Sequence, residues 1–576
     1  MNRPALREIS RFFRARRATV VAAALALAAC GGGAPAPEPP AKASFVPATG
    51  QVTVAPGTPT QMRDFAAARF LEQASFGPTP AAVADVKSRG MAAWIDAQLA
   101  LPVTRIDGSS ISKYPDLNVI GKADADLVWN FIPVHSTNAF VAAPDQLRLR
   151  VAWALSNFIV VSTNKITPYG GVEYFNLLQT HALGNFGSLL KGVILNPSMG
   201  QYLDNVQNRR QGACPDCFLN ENFARELMQL FTVGVFKLGL DGTMLRDGAG
   251  KPIETYSQAD VQDMARALTG WTFDNKHVVR PPNSLPNANH ANGAGYDKPM
   301  IASWRESHDD GAKTIMGVTI PAGQTAEQDV DSVVALLMAH PNIAPFVTFR
   351  LIQALVTSDP SPAYVARVAT VFRNDGRGAS GNLGAVVRAI LLDPEARRGD
   401  DATVQERTVG RIKEPVMQAA GSTRALGCTR ALRRSWGGVY GLNNQTPFNA
   451  PTVFSFFSPM HRAPGSNILA PEQKLLDSKE FRSRLGDIAG IWNDGTGAEF
   501  RAAGCNFDEL VAALEKSPDH YVALLNERFF KGSMPPMLRD AAKNLLKEMS
   551  WEPRAGMRAA VVLSFMLSTP TYGVVK

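Results

Sequence analysis

From Asp64 to the C-terminus apolar residues recur at i, i+3 and i+4 and hardly ever alternate, a spacing that limits the chain to packed helices. Phe65, Ala68, Phe70, Leu71 and Ala74 open the pattern. Gly77-Pro78 breaks it, Thr79 is placed to cap the next helix, and Pro80 takes the first helical position, where a missing N–H is no loss. Val83, Val86, Met91, Trp94, Ile95 and Leu99 continue the apolar face. The same periodicity predicts helices over 145–161, 173–195, 223–235, 256–272, 362–372, 383–392, 415–426, 507–514, 539–549 and 557–567. Thr325 with Gln328 forms a capping-box pair opening one more, which His340-Pro341 ends. Asp241-Gly242 and Asp247-Gly248 are turn signals for one small β-ribbon between helices. The expected fold is all-α, one large continuous unit over 63–576, without a repeat of fixed period.

Composition agrees with a packed domain. The chain has 576 residues, 45% hydrophobic and 19% charged, too apolar for a disordered protein. Its apolar runs are too short and too few for a multi-span membrane protein, which needs runs of about 20 residues. The formal charge of +8 misleads, because residues 1–17 hold six arginines against Glu8, leaving 53 basic and 50 acidic residues elsewhere. Those are interspersed, so no nucleic-acid surface is expected.

That arginine-rich segment precedes an apolar run over 18–29, and Leu27-Ala28-Ala29-Cys30 follows at its end. The layout is that of a secretory signal, not of a spanning helix. Placing cysteine after Leu-Ala-Ala makes Cys30 the expected lipidation site of a bacterial lipoprotein, with 1–29 removed. Arg16-Arg17 raises twin-arginine export as a lesser option. Residues 30–62, from Gly31-Gly32-Gly33 through Pro35, Pro37, Pro39 and Pro40, read as a disordered tether that cannot bury a core. Gly31 in place of an aspartate favours the outer membrane. An exported chain sits in an oxidising compartment, so the four remaining cysteines read as two disulfides, Cys214–Cys217 by proximity and Cys428–Cys505 by elimination. Cys214-Pro215-Asp216-Cys217 has redox-motif spacing without the βαβ setting of such a motif, and no further soft ligands complete a zinc site.

Several strings carry a family resemblance. They are Ala67-Ala68-Arg69-Phe70-Leu71 with Ser75-Phe76-Gly77-Pro78-Thr79, and Asp145-Gln146-Leu147-Arg148 with Val151-Ala152-Trp153-Ala154-Leu155-Ser156. Asn220-Glu221-Asn222-Phe223-Ala224-Arg225-Glu226-Leu227-Met228 and Leu230-Phe231-Thr232-Val233-Gly234 follow, then Leu268-Thr269-Gly270-Trp271, His308-Asp309 and His340-Pro341-Asn342. In this order they resemble the domain-of-unknown-function 1800 family of exported bacterial proteins. The chain departs from that pattern at Phe456-Phe457, where the family tends to show Gly-Trp after a segment like Gln445-Thr446-Pro447-Phe448. The resemblance implies an exported, mainly helical protein and hands over no reaction.

Chemistry must therefore be read from the residues. In 220–231, Phe223, Leu227, Leu230 and Phe231 mark a buried face, with Asn222 and Glu226 on its flank and Glu221 paired i, i+4 with Arg225. This is either a polar network locking helices together or a site where Glu226 or Glu221 acts as general acid/base or metal ligand. His308-Asp309-Asp310 has the range for proton transfer or metal binding, and Lys313 for holding an anion. Its plain reading is a turn cluster. The loop 442–459 mixes amides with aromatics and offers Asn444, Gln445 and Phe448 for binding, while 277–300 is a second polar loop. No Gly-x-Ser-x-Gly, His-Glu-x-x-His or P-loop occurs.

Two functions follow. The first is a non-catalytic envelope lipoprotein, a helical scaffold or binding module for an envelope glycan or exported partner, with no cofactor. The second is a hydrolase-type enzyme on an envelope polymer, using Glu226 and Glu221 with His308 and Asp309, with or without a divalent metal. Convergence of the two segments in one open pocket would favour the enzyme.

Overall fold

The computed structural model describes residues 62–114, 120–215, 217–274, 295–303, 307–403, 409–432, 444–481, 484 and 497–575. Cys30, the signal segment 1–29, nearly all of the tether and most of the 277–300 loop lie outside the described residues. Within them the protein is mainly helical and forms one large domain, with sheets of two short strands only. Among the described residues no single helix is long and apolar enough to cross a membrane.

The helix Gln146–Ser156 is the hub. Leu147, Leu149, Val151, Trp153 and Leu155 are all fully enclosed, each worth roughly 1.5–3 kcal/mol of burial. It packs on Pro168–His181 and on Ile343–Leu355. A helix buried all round must also satisfy its polar members, and Arg148 donates to the Leu101 carbonyl while Arg150 donates to that of Ala354. Pro415–Ala425 is enclosed along its whole length. Its Ala419, Ala420, Gly421 and Ser422 are small enough to admit another backbone. The close approach is at Gly77, which sits at φ 128° with its missing Cβ position 2.8 Å from Gly421 Cα. The Gly77-Pro78 break is thus a contact point as well as a helix end, and Arg424 ties it down through a 2.8 Å bond to the Gly77 carbonyl.

Local chemistry explains most boundaries. Thr79 accepts from the Ala82 N–H with Pro80 at the first position, and Thr325 with Gln328 forms the full capping box of Ala326–Ala339. The expected helix over 173–195 is instead two, Pro168–His181 and Phe186–Ile194, because Asn185 caps the second through the Gly187 and Ser188 N–H groups. The helix expected over 223–235 changes character: Asn222–Glu226 is α-helical and Leu227–Thr232 is a π-helix, with Thr232 Oγ1 donating to the Leu227 carbonyl. The expected β-ribbon is present as paired segments, with Lys237 N bonded to Ile253 O and Leu245 N to Lys237 O around the Asp241-Gly242 and Asp247-Gly248 turns. Three further two-strand pairs are absent from the sequence reading, including Arg411–Ile412 with Val574–Val575.

Candidate functional site

The two chemistry-bearing segments lie at opposite ends of one helix, Gln258–Ala267. At its start, Arg225 Nη2 lies 2.9 Å from both Glu221 Oε2 and Gln258 Oε1, and Gln258 Nε2 donates back to Glu221 at 2.7 Å. Asn220 accepts from the Asn222 N–H, Asn208 pairs twice with Asn220, and Asn222 reaches Asp204 at 3.3 Å. Glu226 stands apart from this triangle. It is buried, and its Oε2 has no hydrogen-bond partner. Burial pushes its carboxyl above the ordinary glutamate range, with Arg225 only partly opposing. The phenols of Tyr202 and Tyr256 are pushed up to about 12, by burial first and then by the Glu226 carboxylate.

At the far end, roughly 12 Å along the axis for eight residues, Arg266 holds Asp309 through two bonds of 2.9 and 3.0 Å and Asp263 through one of 2.7 Å. Burial raises the Asp309 carboxyl, but Arg266 and the Gly311 N–H outweigh it and hold it below the usual aspartate range. His308 puts Nδ1 3.0 Å from the Thr269 carbonyl and Nε2 3.2 Å from Asp329, whose same oxygen lies 2.6 Å from Lys313 Nζ. Lys313 and Asp329 are fully enclosed. His308, Asp309 and Lys313 are therefore brought together with each other, each locked to a partner, and not with Glu226. Among the described residues no three His, Cys, Asp or Glu side chains converge as a metal ligand set.

A cleft elsewhere sets apolar walls over a charged floor. It encloses about 660 Å³, counting space open to solvent. Its walls are Phe158, Leu230, Val453, Phe454, Phe457 and Pro459, and Phe454 is 57% exposed. Its floor is charged. Arg411 bonds Glu472 Oε1 at 2.9 Å and Glu414 Oε1 at 2.9 Å, Ser358 donates to Glu472 Oε2 at 2.8 Å, and Gln445 donates to Glu414 Oε2. Every oxygen of the two carboxylates is thus occupied. Burial would raise Glu414, but Arg411 and Arg150 outweigh it and keep it ionised. Arg150, behind the floor, is lowered to about 9 by burial and by Arg411. Arg350, on the cleft side of Ile343–Leu355, rests over the Phe346 ring at 5.0 Å, and its Nη1 has no hydrogen-bond partner among the described residues.

The amide-aromatic loop reaches this cleft with different residues from those expected to bind. Gln445 is buried on Glu414, Asn444 donates to the Leu475 carbonyl, and Phe448 is packed between Trp153 and Phe175. These three brace the loop, while Val453, Phe454 and Phe457 face the cleft. Phe457, one of the two residues departing from the Gly-Trp pattern, supplies aromatic surface there. Arg350, Arg411, Glu414 and Glu472 were not singled out by sequence. A signal existed for Arg350, the one charge in an otherwise apolar or neutral thirteen-residue helix. Cys214 with Cys217 and Cys428 with Cys505 lie at disulfide-bonding distance.

A family model described as "Protein of unknown function (DUF1800)" matches residues 69–574. No curated protein and no solved structure matches the chain.

Proposed function

The chain belongs to the DUF1800 family, and from that premise we propose that it is an exported, lipid-anchored binding protein of the cell envelope. Cys30 carries the lipid, the 30–62 tether holds the helical domain off the membrane, with the outer membrane favoured, and the 660 Å³ cleft receives an envelope glycan or an exported partner. The observation that carries this reading is the pairing of aromatic walls with a floor whose four carboxylate oxygens are all occupied. Such a floor is fixed in place, with Glu414 held ionised by its arginine neighbours, and can orient a ligand set between the aromatic walls, which supports binding.

The test uses the chain from Gly31 onward, produced without the signal segment and without the lipid, and co-sedimentation with isolated envelope. The domain should pellet with envelope, and Phe454→Ala with Phe457→Ala should leave it in the supernatant. Equal pelleting of both forms would sink the cleft reading. One observation favours a catalytic reading instead, the buried, partnerless Oε2 of Glu226, whose raised carboxyl suits a general acid. Loss of envelope hydrolysis in Glu226→Gln at unchanged or raised stability would establish it.

A further inference from the structure

Arg350 is the unexplained charge of the cleft. It sits in the third turn of Ile343–Leu355, and its Nη1 is enclosed by protein without a hydrogen-bond partner. The other arginines of the region each find acceptors: Arg411 in Glu414, Glu472 and the Ala354 carbonyl, Arg150 in that same carbonyl. Among the described residues Arg350 meets the face of Phe346, and burial moves it down to about 10, with no carboxylate opposing. A guanidinium N–H enclosed without an acceptor costs stability, and five donors in a planar fork are suited to a carboxylate. The charge balance limits what can enter. Arg150 and Arg411 are matched by Glu414 and Glu472, so the charge of Arg350 is uncompensated, and a second negative charge on a ligand would meet the ionised Glu414. Phe158, Phe454 and Phe457 supply apolar surface beside it.

We propose that the cleft is an anion site in which Arg350 receives a single carboxylate carried on an apolar or aromatic body. The carboxylate lies against the guanidinium, and the body lies between Phe158 and the 453–459 loop. This deepens the cleft-binding reading above and rests on it.

The test is calorimetric titration of the mature protein with 4-phenylbutyrate, its neutral counterpart 4-phenylbutanol, and N-acetylphenylalanine as a mimic of a peptide C-terminus. The wild type should bind 4-phenylbutyrate about tenfold or more tightly than the alcohol, the effect of one charge-assisted contact. Arg350→Gln should abolish that difference while leaving alcohol binding unchanged and the melting temperature at or above wild type. Arg350→Met provides the same readout should the glutamine variant fold poorly. Preference for N-acetylphenylalanine over 4-phenylbutyrate would identify a peptide C-terminus as the source, and the reverse order a free apolar acid. Equal binding of acid and alcohol to wild type would overturn the anion assignment and leave the apolar cleft standing. Undiminished acid binding by Arg350→Gln would do the same. Failure of all three probes overturns the assignment too, and if the domain also fails to pellet with envelope, the cleft reading goes with it.

Discussion

Glu226 shows how far a single side chain can be read from its neighbours in sequence. Its place beside Arg225 predicts a charge-assisted bond, yet Arg225 turns to Glu221 and Gln258 and leaves one Glu226 oxygen buried without a partner. The i, i+4 pairing with Glu221 was legible, because helical geometry alone sets it. The loss of Glu226's partner was not, because Gln258 arrives from a helix thirty-two residues further on. The outcome expected for Glu226→Gln follows from this burial. A carboxyl held above its unfolded value leaves the folded state at full advantage below the ordinary glutamate range, and that advantage is lost as pH rises through the folded value. Glu226→Gln should therefore melt higher than wild type at neutral pH, with the gain vanishing below about pH 4, near the unperturbed carboxyl value. Calorimetric scans across pH check the sign, and a lower melting temperature at pH 7 would show an unseen partner for the charge. The same kind of limit explains why Arg350 was overlooked. Its isolation within an apolar helix is visible in the sequence, but the lack of a partner is a property of everything folded around it.

At the scale of elements, what was legible is what local chemistry decides. Capping residues fix Pro80–Arg89 and Ala326–Ala339, and Asp-Gly turns place the ribbon. The misread pieces are those where tertiary contacts override periodicity. The Leu227–Thr232 π-helix carries the same apolar spacing as an α-helix, and two-residue strands such as Val574–Val575 leave no pattern to read. The Cys428–Cys505 pair lies between these cases, since elimination alone joined it. It fastens the end of Pro415–Ala425 to the start of Phe507–Lys516, where Asn506 N also bonds Leu426 O and Thr429 N bonds Ala503 O. The two backbones are therefore held together before the sulfurs are counted. The bridge closes 77 residues, which on the chain-entropy model contributes about 4 kcal/mol through the unfolded state. Cys428→Ser with Cys505→Ser should lower stability by about that amount in denaturant titration, with near-native circular dichroism below the transition. A loss under about 1 kcal/mol would mean that the unfolded chain already keeps these segments close.

The whole molecule is tied at a point that periodicity does not reveal. Glu72, from the first described helix, is enclosed between Lys413 Nζ at 2.7 Å and Lys531 Nζ at 2.5 Å. Tyr572 lies under Lys413 at 3.7 Å, and the C-terminal strand Val574–Val575 pairs with Arg411–Ile412 beside it. One carboxylate thus joins the beginning, middle and end of the domain, which makes independent unfolding of either half unfavourable. Burial alone would raise Glu72, but the two ammonium groups outweigh it and hold the acid below its ordinary range. The reverse holds for Lys413, which burial lowers to about 8 even with Glu72 opposing. Removing the negative charge would leave two enclosed ammonium groups facing each other with nothing between them. Breaking a buried ion pair from one side typically costs about 3–5 kcal/mol, so Glu72→Gln should destabilise by at least that range, whereas replacing an exposed pair such as Lys87 with Asp64 should cost less than about 1 kcal/mol. Because Glu72 binds both ends, the mutant should still unfold in a single step, its near-ultraviolet and far-ultraviolet transitions shifting together. Two separated transitions would show instead that the N-terminal and C-terminal parts hold their own cores, with Glu72 a local contact between them.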